Sequence, residues 1–172
     1  MTALSLVSKG DLAFLCEPAG GGSASVAVDV SEQRTSITDN TTYCSEANSA
    51  RTAIAAPRTI CVVVDMTTGS SGFLVHHGTS AVAYKYAISK SGTNIRLSEN
   101  AAVILTVAIP GLAAASRKFL IHWAQRPDGA FNFNECAIYN FATAAWVFGS
   151  VTATAITPVS TDTFTIGAST TG

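Results

Sequence analysis

Short apolar segments in this chain alternate with polar residues at period two, and Gly, Ser, Asn or Pro cuts them apart at short intervals. Period two gives a strand one buried face and one wet face, so this pattern constrains the fold more than any single motif. SVAVDV (25–30) sets Val26, Val28 and Val30 on one face. AVAYKYAIS (81–89) alternates, SGTN turns, and IRLSE (95–99) returns as the second arm of an antiparallel hairpin. RTICVVVDM (58–66) is continuously β-branched and predicts a central strand buried on both faces. LAFLCE (12–17), GFLVHHG, AAVILTVAIPG, RKFLIHWAQ, NECAIYN, AWVFGSV and TFTIGA supply further strands, with RPDG as a turn and FATA as a short connection. LAAASRK offers one helical turn at most, and no fixed-period repeat suggests a solenoid or propeller. The expectation is an all-β antiparallel sandwich.

At 172 residues the chain suits one domain, residues 1–172, burying roughly 70% of its unfolded surface. Residues 31–57 are polar and rich in Ser, Thr and Asn, and read as a long polar loop or arm with a short strand near Thr35–Thr38. Charged residues make up 12% of the chain, about half the usual share, and the net charge is −1 with no run of either sign. Nucleic acid, whose phosphates need a basic footprint, is therefore not an expected partner. MTALSLVSKGDLAFLCEP has no basic region ahead of an apolar core and reads as a start without a signal peptide, made in the cytoplasm. The most apolar stretch, Ala101–Ala115, contains Thr106, Pro110 and Gly111 and falls short of the roughly 20 residues that span a bilayer.

Cys16, Cys44, Cys61 and Cys136 form no CxxC pair, which argues against zinc. Cys16, Cys61 and Cys136 lie in apolar strand-like runs and are expected to be small buried hydrophobes. In FLIHWAQ, His122 has neither a nucleophile motif nor an orienting acid nearby. His76 and His77, adjacent on a strand, face opposite ways and cannot share a metal. A glycosidase needs two carboxyls on one face, yet Asp65, Glu99, Asp128, Glu135 and Asp162 are each isolated, with no ExDxE pattern. Asp128, Asn132, Asn134 and Glu135 are close enough in sequence for a calcium loop, against the plainer reading of solvated hairpin residues; no other cofactor is expected. Asn40-Thr41-Thr42 fits a glycosylation acceptor, discounted without a signal peptide. Trp123, Trp146, Tyr84, Tyr86 and Tyr139 would stack on sugars if exposed, but their place in alternating strands favours the core.

The order of segments carries a resemblance. RTICVVVDM, GFLVHHG, the hairpin of AVAYKYAIS and IRLS, RKFLIHWAQRPDG, AIYNFATAAWV and FTIGA resemble the concanavalin A-like, laminin G-type jelly-roll domains over residues 58–168. The landmarks are Phe119 to Ala124, Asp128-Gly129, Ala137 to Trp146 and Ile166-Gly167; Tyr139-Asn140-Phe141 departs from the family's Asn-Gly. The resemblance implies binding to glycans or proteins, less often hydrolysis. Such domains occur in bacteriophage minor tail and other virion surface proteins, which reconciles an extracellular kind of fold with a chain lacking an export signal. The expectation is a non-enzymatic virion protein of the tail or tail tip, homo-oligomeric, touching other virion subunits or a host-surface glycan. Its contact residues are expected at Arg126, Asp128, Asn132, Asn134, Trp123 and Trp146. The alternatives are a free carbohydrate-binding lectin-like module and a glycoside hydrolase.

Overall fold

The computed structural model describes residues 2–5, 18–19, 27–29, 34–36, 43–46, 56–69, 71–80, 83–156 and 162–167. They form fourteen strands: β1 Thr2–Ser5, β2 Pro18–Ala19, β3 Ala27–Asp29, β4 Arg34–Ser36, β5 Tyr43–Glu46, β6 Arg58–Met66 and β7 Gly72–Ser80. The remainder are β8 Ala83–Ser91, β9 Asn94–Glu99, β10 Ala102–Ala108, β11 Arg117–Asp128, β12 Phe131–Asn140, β13 Ala145–Thr154 and β14 Thr163–Ile166. No helix occurs among the described residues, and none is long and apolar enough to cross a membrane.

The strands form two seven-stranded sheets, in the orders β13-β12-β11-β6-β1-β4-β3 and β10-β9-β8-β7-β14-β5-β2. Every pairing is antiparallel. The inward faces share one apolar core, with Val62, Val64, Phe119, Ile121 and Ile138 from the first sheet and Val75, Ile88, Ile95, Leu97 and Val107 from the second. Full burial of each such side chain contributes about 1.5–3 kcal/mol, so the alternation seen in the sequence closes the sandwich. The fold class is therefore the antiparallel β-sandwich that the sequence predicts.

Three local expectations change. β6 is central in its sheet, yet only Val62, Val64 and Met66 on its inward face are buried; Thr59 and Cys61 on the other face are exposed. Only the inward face of β6 is covered, so β-branching along RTICVVVDM marked strand propensity rather than double burial. Cys61 is consequently exposed, whereas Cys136 is buried as expected. RPDG is not the turn: β11 runs through Asp128, and Gly129 and Ala130 make the reversal. Pro127 is tolerated because β6 stops pairing with β11 at Gln125, leaving the last residues of β11 with one neighbour among the described residues. Within 31–57, β4 overlaps the short strand expected near Thr35–Thr38 and joins the first sheet beside β1, while β5 joins the second beside β14. Cys16, LAFLCE and Asn40 lie outside the described residues.

Candidate binding pocket and the polar cluster behind it

At one end of the sandwich the inward phase of six strands changes from apolar to polar. On the first sheet Arg58, Gln125 and Asn134 form a row across β6, β11 and β12, because Arg58 pairs with Gln125 and Gln125 with Asn134. On the second, His77, Tyr86 and Glu99 form a row across β7, β8 and β9. The two rows meet. Arg58 Nη2 lies 3.5 Å from Glu99 Oε1, and its guanidinium stands 4.1 Å from the centre of the Tyr86 ring. Gln125 Nε2 donates to Glu99 Oε1 and, at 2.8 Å, to Asn134 Oδ1, which also accepts from Trp123 Nε1 at 2.8 Å. Hydrogen bonds and charge thus tie the sheets together where apolar packing ends.

Glu99 Oε2, Gln125 Oε1 and Asn132 Nδ2 are buried without a hydrogen-bond partner. Buried polar atoms are nearly always paired, and exceptions concentrate where a site takes water or a ligand. Burial raises the Glu99 pKa, opposed by the hydrogen bond from Gln125 and the charge of Arg58. Burial lowers that of Arg58, against Tyr86 and Glu99.

His77 stacks on Tyr86, with ring centres 4.9 Å apart, and burial lowers its pKa to about 4, opposed by Asp162, whose Oδ2 lies 3.9 Å from Nδ1. A folded-state pKa below the unfolded value means that the folded state binds fewer protons, so His77 contributes stability above pH 6.5 that is lost as pH falls towards 4. The loss is expected to reach about 3 kcal/mol across that window. Urea unfolding between neutral and acid pH checks it: His77→Phe, which keeps a stacked ring without a titrating nitrogen, should flatten that part of the profile.

A pocket of about 380 Å³ opens at the same end, lined by Pro57, Arg58 and Thr59 of the β6 start, Ala124, Gln125 and Arg126 of β11, and Phe133 and Glu135 of β12. Arg126 and Phe133 are register partners, and the guanidinium lies 4.5 Å from the ring centre. Thr59, Ala124 and Glu135 are aligned across three strands on the outward face. The pocket therefore joins a flat cation–aromatic pair and outward polar groups to Gln125, which reaches back into the buried cluster. Its volume is within the range of small-ligand sites.

Of the residues singled out in the sequence, Arg126 lines this pocket, and Asp128 is exposed beside it on the same strand. Trp123, Asn132 and Asn134 are buried on the inward face, where Trp123 and Asn134 bond each other. Trp146 is 48% exposed on the outward face of β13, contrary to the core placement that its strand favoured. It belongs to an aromatic row: Trp146 stacks with Phe148 at 5.7 Å and meets Tyr139 at 4.7 Å, and Tyr139 meets Phe141 at 5.0 Å. The calcium grouping does not converge, because strand alternation sends Asn132 and Asn134 inward and Asp128 and Glu135 outward. His76 and His77 take different neighbours, His76 meeting Phe73, Tyr84 and Thr165, as opposite faces require. His122 pairs with Cys61 and Ala137 on the outward side of the first sheet.

No protein-family model, curated protein or solved structure matches the chain.

Sequence reasoning missed Arg58, Gln125 and Phe133, and treated Glu99 as an isolated acid. One signal was present. Arg58 precedes Ile60, Val62 and Val64 in phase, Gln125 follows Phe119, Ile121 and Trp123, and Glu99 follows Ile95 and Leu97, so each polar residue occupies the next inward position.

Proposed function

We propose that this chain is a non-enzymatic binding sandwich of a bacteriophage particle, a minor tail or tail-tip component, that holds a host-surface glycan in the pocket between β6, β11 and β12. The observation that carries the reading is the meeting, in one pocket, of the Arg126–Phe133 cation–aromatic pair with the outward polar side chains of Thr59 and Glu135. A sugar ring offers C–H faces that pack on flat groups and hydroxyls that both donate and accept, and this lining supplies both kinds of contact. Arg58 and Arg126 donate; Glu135 accepts; Thr59 does either. Binding is favoured over hydrolysis because Glu135 is the one carboxylate among the lining residues, whereas most glycosidases flank the bond with two. Virion placement rests on the low charge, the Ser/Thr/Ala-rich composition and the resemblance to jelly-roll domains of phage surface proteins.

The test has two parts. Glycan-array screening of the purified chain, followed by calorimetric titration of the best sugar, should give binding that Arg126→Ala and Phe133→Ala each weaken by about tenfold, equivalent to about 1.4 kcal/mol. Unchanged affinity in both variants, or silence across the array, rejects the pocket. Mass spectrometry of purified particles should find the chain as a component; particles without it reject the virion role.

A further inference from the structure

Two of the unpartnered atoms behind the pocket belong to groups that already touch. Gln125 Nε2 donates to Glu99 Oε1, while Gln125 Oε1 and Glu99 Oε2, the other atoms of the same amide and the same carboxylate, are both buried without a partner. The amide cannot turn over to relieve this. Its Nε2 also donates to Asn134 Oδ1 at 2.8 Å, and an oxygen in that place would face two acceptors. While Glu99 is ionised both orphans are acceptors, and neither can serve the other. A proton on Oε2 changes that, because a carboxylic acid and a primary amide each offer a donor beside an acceptor and can bond reciprocally. One proton taken from solvent then satisfies two buried atoms.

We propose that Glu99 is a proton-operated positioning residue of the pocket: with a proton on Oε2 it exchanges the charge of Arg58 for a reciprocal pair with Gln125, leaving the pocket wall one charge more positive. The groups facing Glu99 set the direction. Arg58 of β6 lies 3.5 Å from Oε1 and favours the anion, as does the hydrogen bond from Gln125 of β11. Tyr86 of β8 is the register partner of Glu99, and His77 of β7 stacks on that ring with Asp162 beyond it. Burial outweighs the contacts that favour the anion and raises the Glu99 pKa from its ordinary value of 4.5. His77 takes its own proton lower, at about 4, so Glu99 responds before His77 as pH falls. Arg58 and Gln125 both line the pocket, which is how a proton on Glu99, itself outside the lining, acts there. The inference rests on the glycan reading only for what the pocket holds. An added positive charge strengthens the hold on an acidic sugar relative to its neutral counterpart, and by reciprocity an acidic ligand raises the Glu99 pKa further.

NMR of the unaltered chain, labelled at the glutamate carboxyl carbons and the side-chain nitrogens, should show Glu99 titrating above pH 4.5, with the Gln125 amide and Arg58 guanidinium signals moving at the same midpoint. With no ligand present, the backbone amides of Thr59, Arg126 and Phe133 should follow. Glu99→Gln keeps the reciprocal pair without a proton and should hold these signals at their acid positions at every pH. Titrated with glucuronate and with glucose, the unaltered chain should favour glucuronate about fivefold more below the midpoint than above it, a coupling at the low end of the usual range. The Glu99→Gln variant should lose that change although Glu135 is still in the pocket. If neither sugar binds at any pH, the glycan reading fails, and the ligand-free signals decide this one. A Glu99 that stays ionised until the chain unfolds overturns the inference. So does a Glu99 titration that leaves Gln125 or the pocket amides unmoved, or a glucuronate preference that is the same on both sides of the midpoint.

Discussion

Replacing Arg58 with Ala is expected to destabilise the folded chain by about 3–5 kcal/mol, the loss typical of breaking a buried ion pair from one side. The Arg58 side chain is 7% exposed, the Glu99 side chain 2%, and they come from strands of opposite sheets. Without the guanidinium, the Glu99 carboxylate keeps Gln125 as its hydrogen-bond donor but loses its compensating charge, while Tyr86 and Trp123 lose the cation between them. Removing both partners as Arg58→Met with Glu99→Gln should cost much less, because no buried charge is then left alone. Urea unfolding followed by tryptophan fluorescence measures both. The sign of the pH dependence is also fixed. Burial already raises the Glu99 pKa, and losing Arg58 raises it further. A group whose folded pKa is raised stabilises below its unfolded value and loses that contribution as pH rises through the folded one. The deficit of Arg58→Ala should therefore shrink as pH falls. A deficit independent of pH would mean that lost packing, not the stranded charge, dominates.

The sandwich was legible because period-two alternation is local: Phe119, Ile121 and Trp123 can be assigned to one face from seven consecutive letters. The AVAYKYAIS and IRLSE hairpin was legible for the same reason, since its turn is contiguous with both arms. Burial on the outward face was not legible. RTICVVVDM and AWVFGSV have similar apolar content, but what covers the outward side of Cys61 or Trp146 depends on layers that the sequence does not display. The polar cluster depends on register between segments far apart in sequence: Arg58 and Glu99 are 41 residues apart and meet only because antiparallel strands bring the β6 start and the β9 end to the same edge of the core. Its trace was the polar residue that continues an apolar phase by one step at a strand end. In six strands those steps fall at one end of the sandwich. The pocket adds a further condition, because it mixes Gln125 from the inward phase with Arg126 from the outward phase, and a reading that separates the faces splits it.

Gly78→Ala should be nearly as costly, at about 3 kcal/mol, and should disturb the polar cluster without altering any residue in it. A Cβ built on Gly78 would come 2.3 Å from Tyr84 Cα and 2.5 Å from Ala83 O, which are backbone atoms of β8 and cannot turn aside as a side-chain end can. β7 and β8 would have to separate where their register is already irregular, between His77 and Gly78 and between Gly78 and Ser80. The displaced segment leads directly to Tyr86, whose ring lies between His77 and Arg58, so strain at Gly78 is transmitted to the contact that joins the sheets. Gly92→Ala is the control. Gly92 has φ +57° but nothing within 4 Å of an added Cβ, so that change should cost only the left-handed backbone penalty of about 1–2 kcal/mol. If crowding against β8 is what Gly78 avoids, urea unfolding should rank Gly78→Ala below Gly92→Ala in stability, and the near-ultraviolet signal of Tyr86 and Trp123 should change only in the former. Equal losses in the two variants would instead assign the whole effect to backbone freedom.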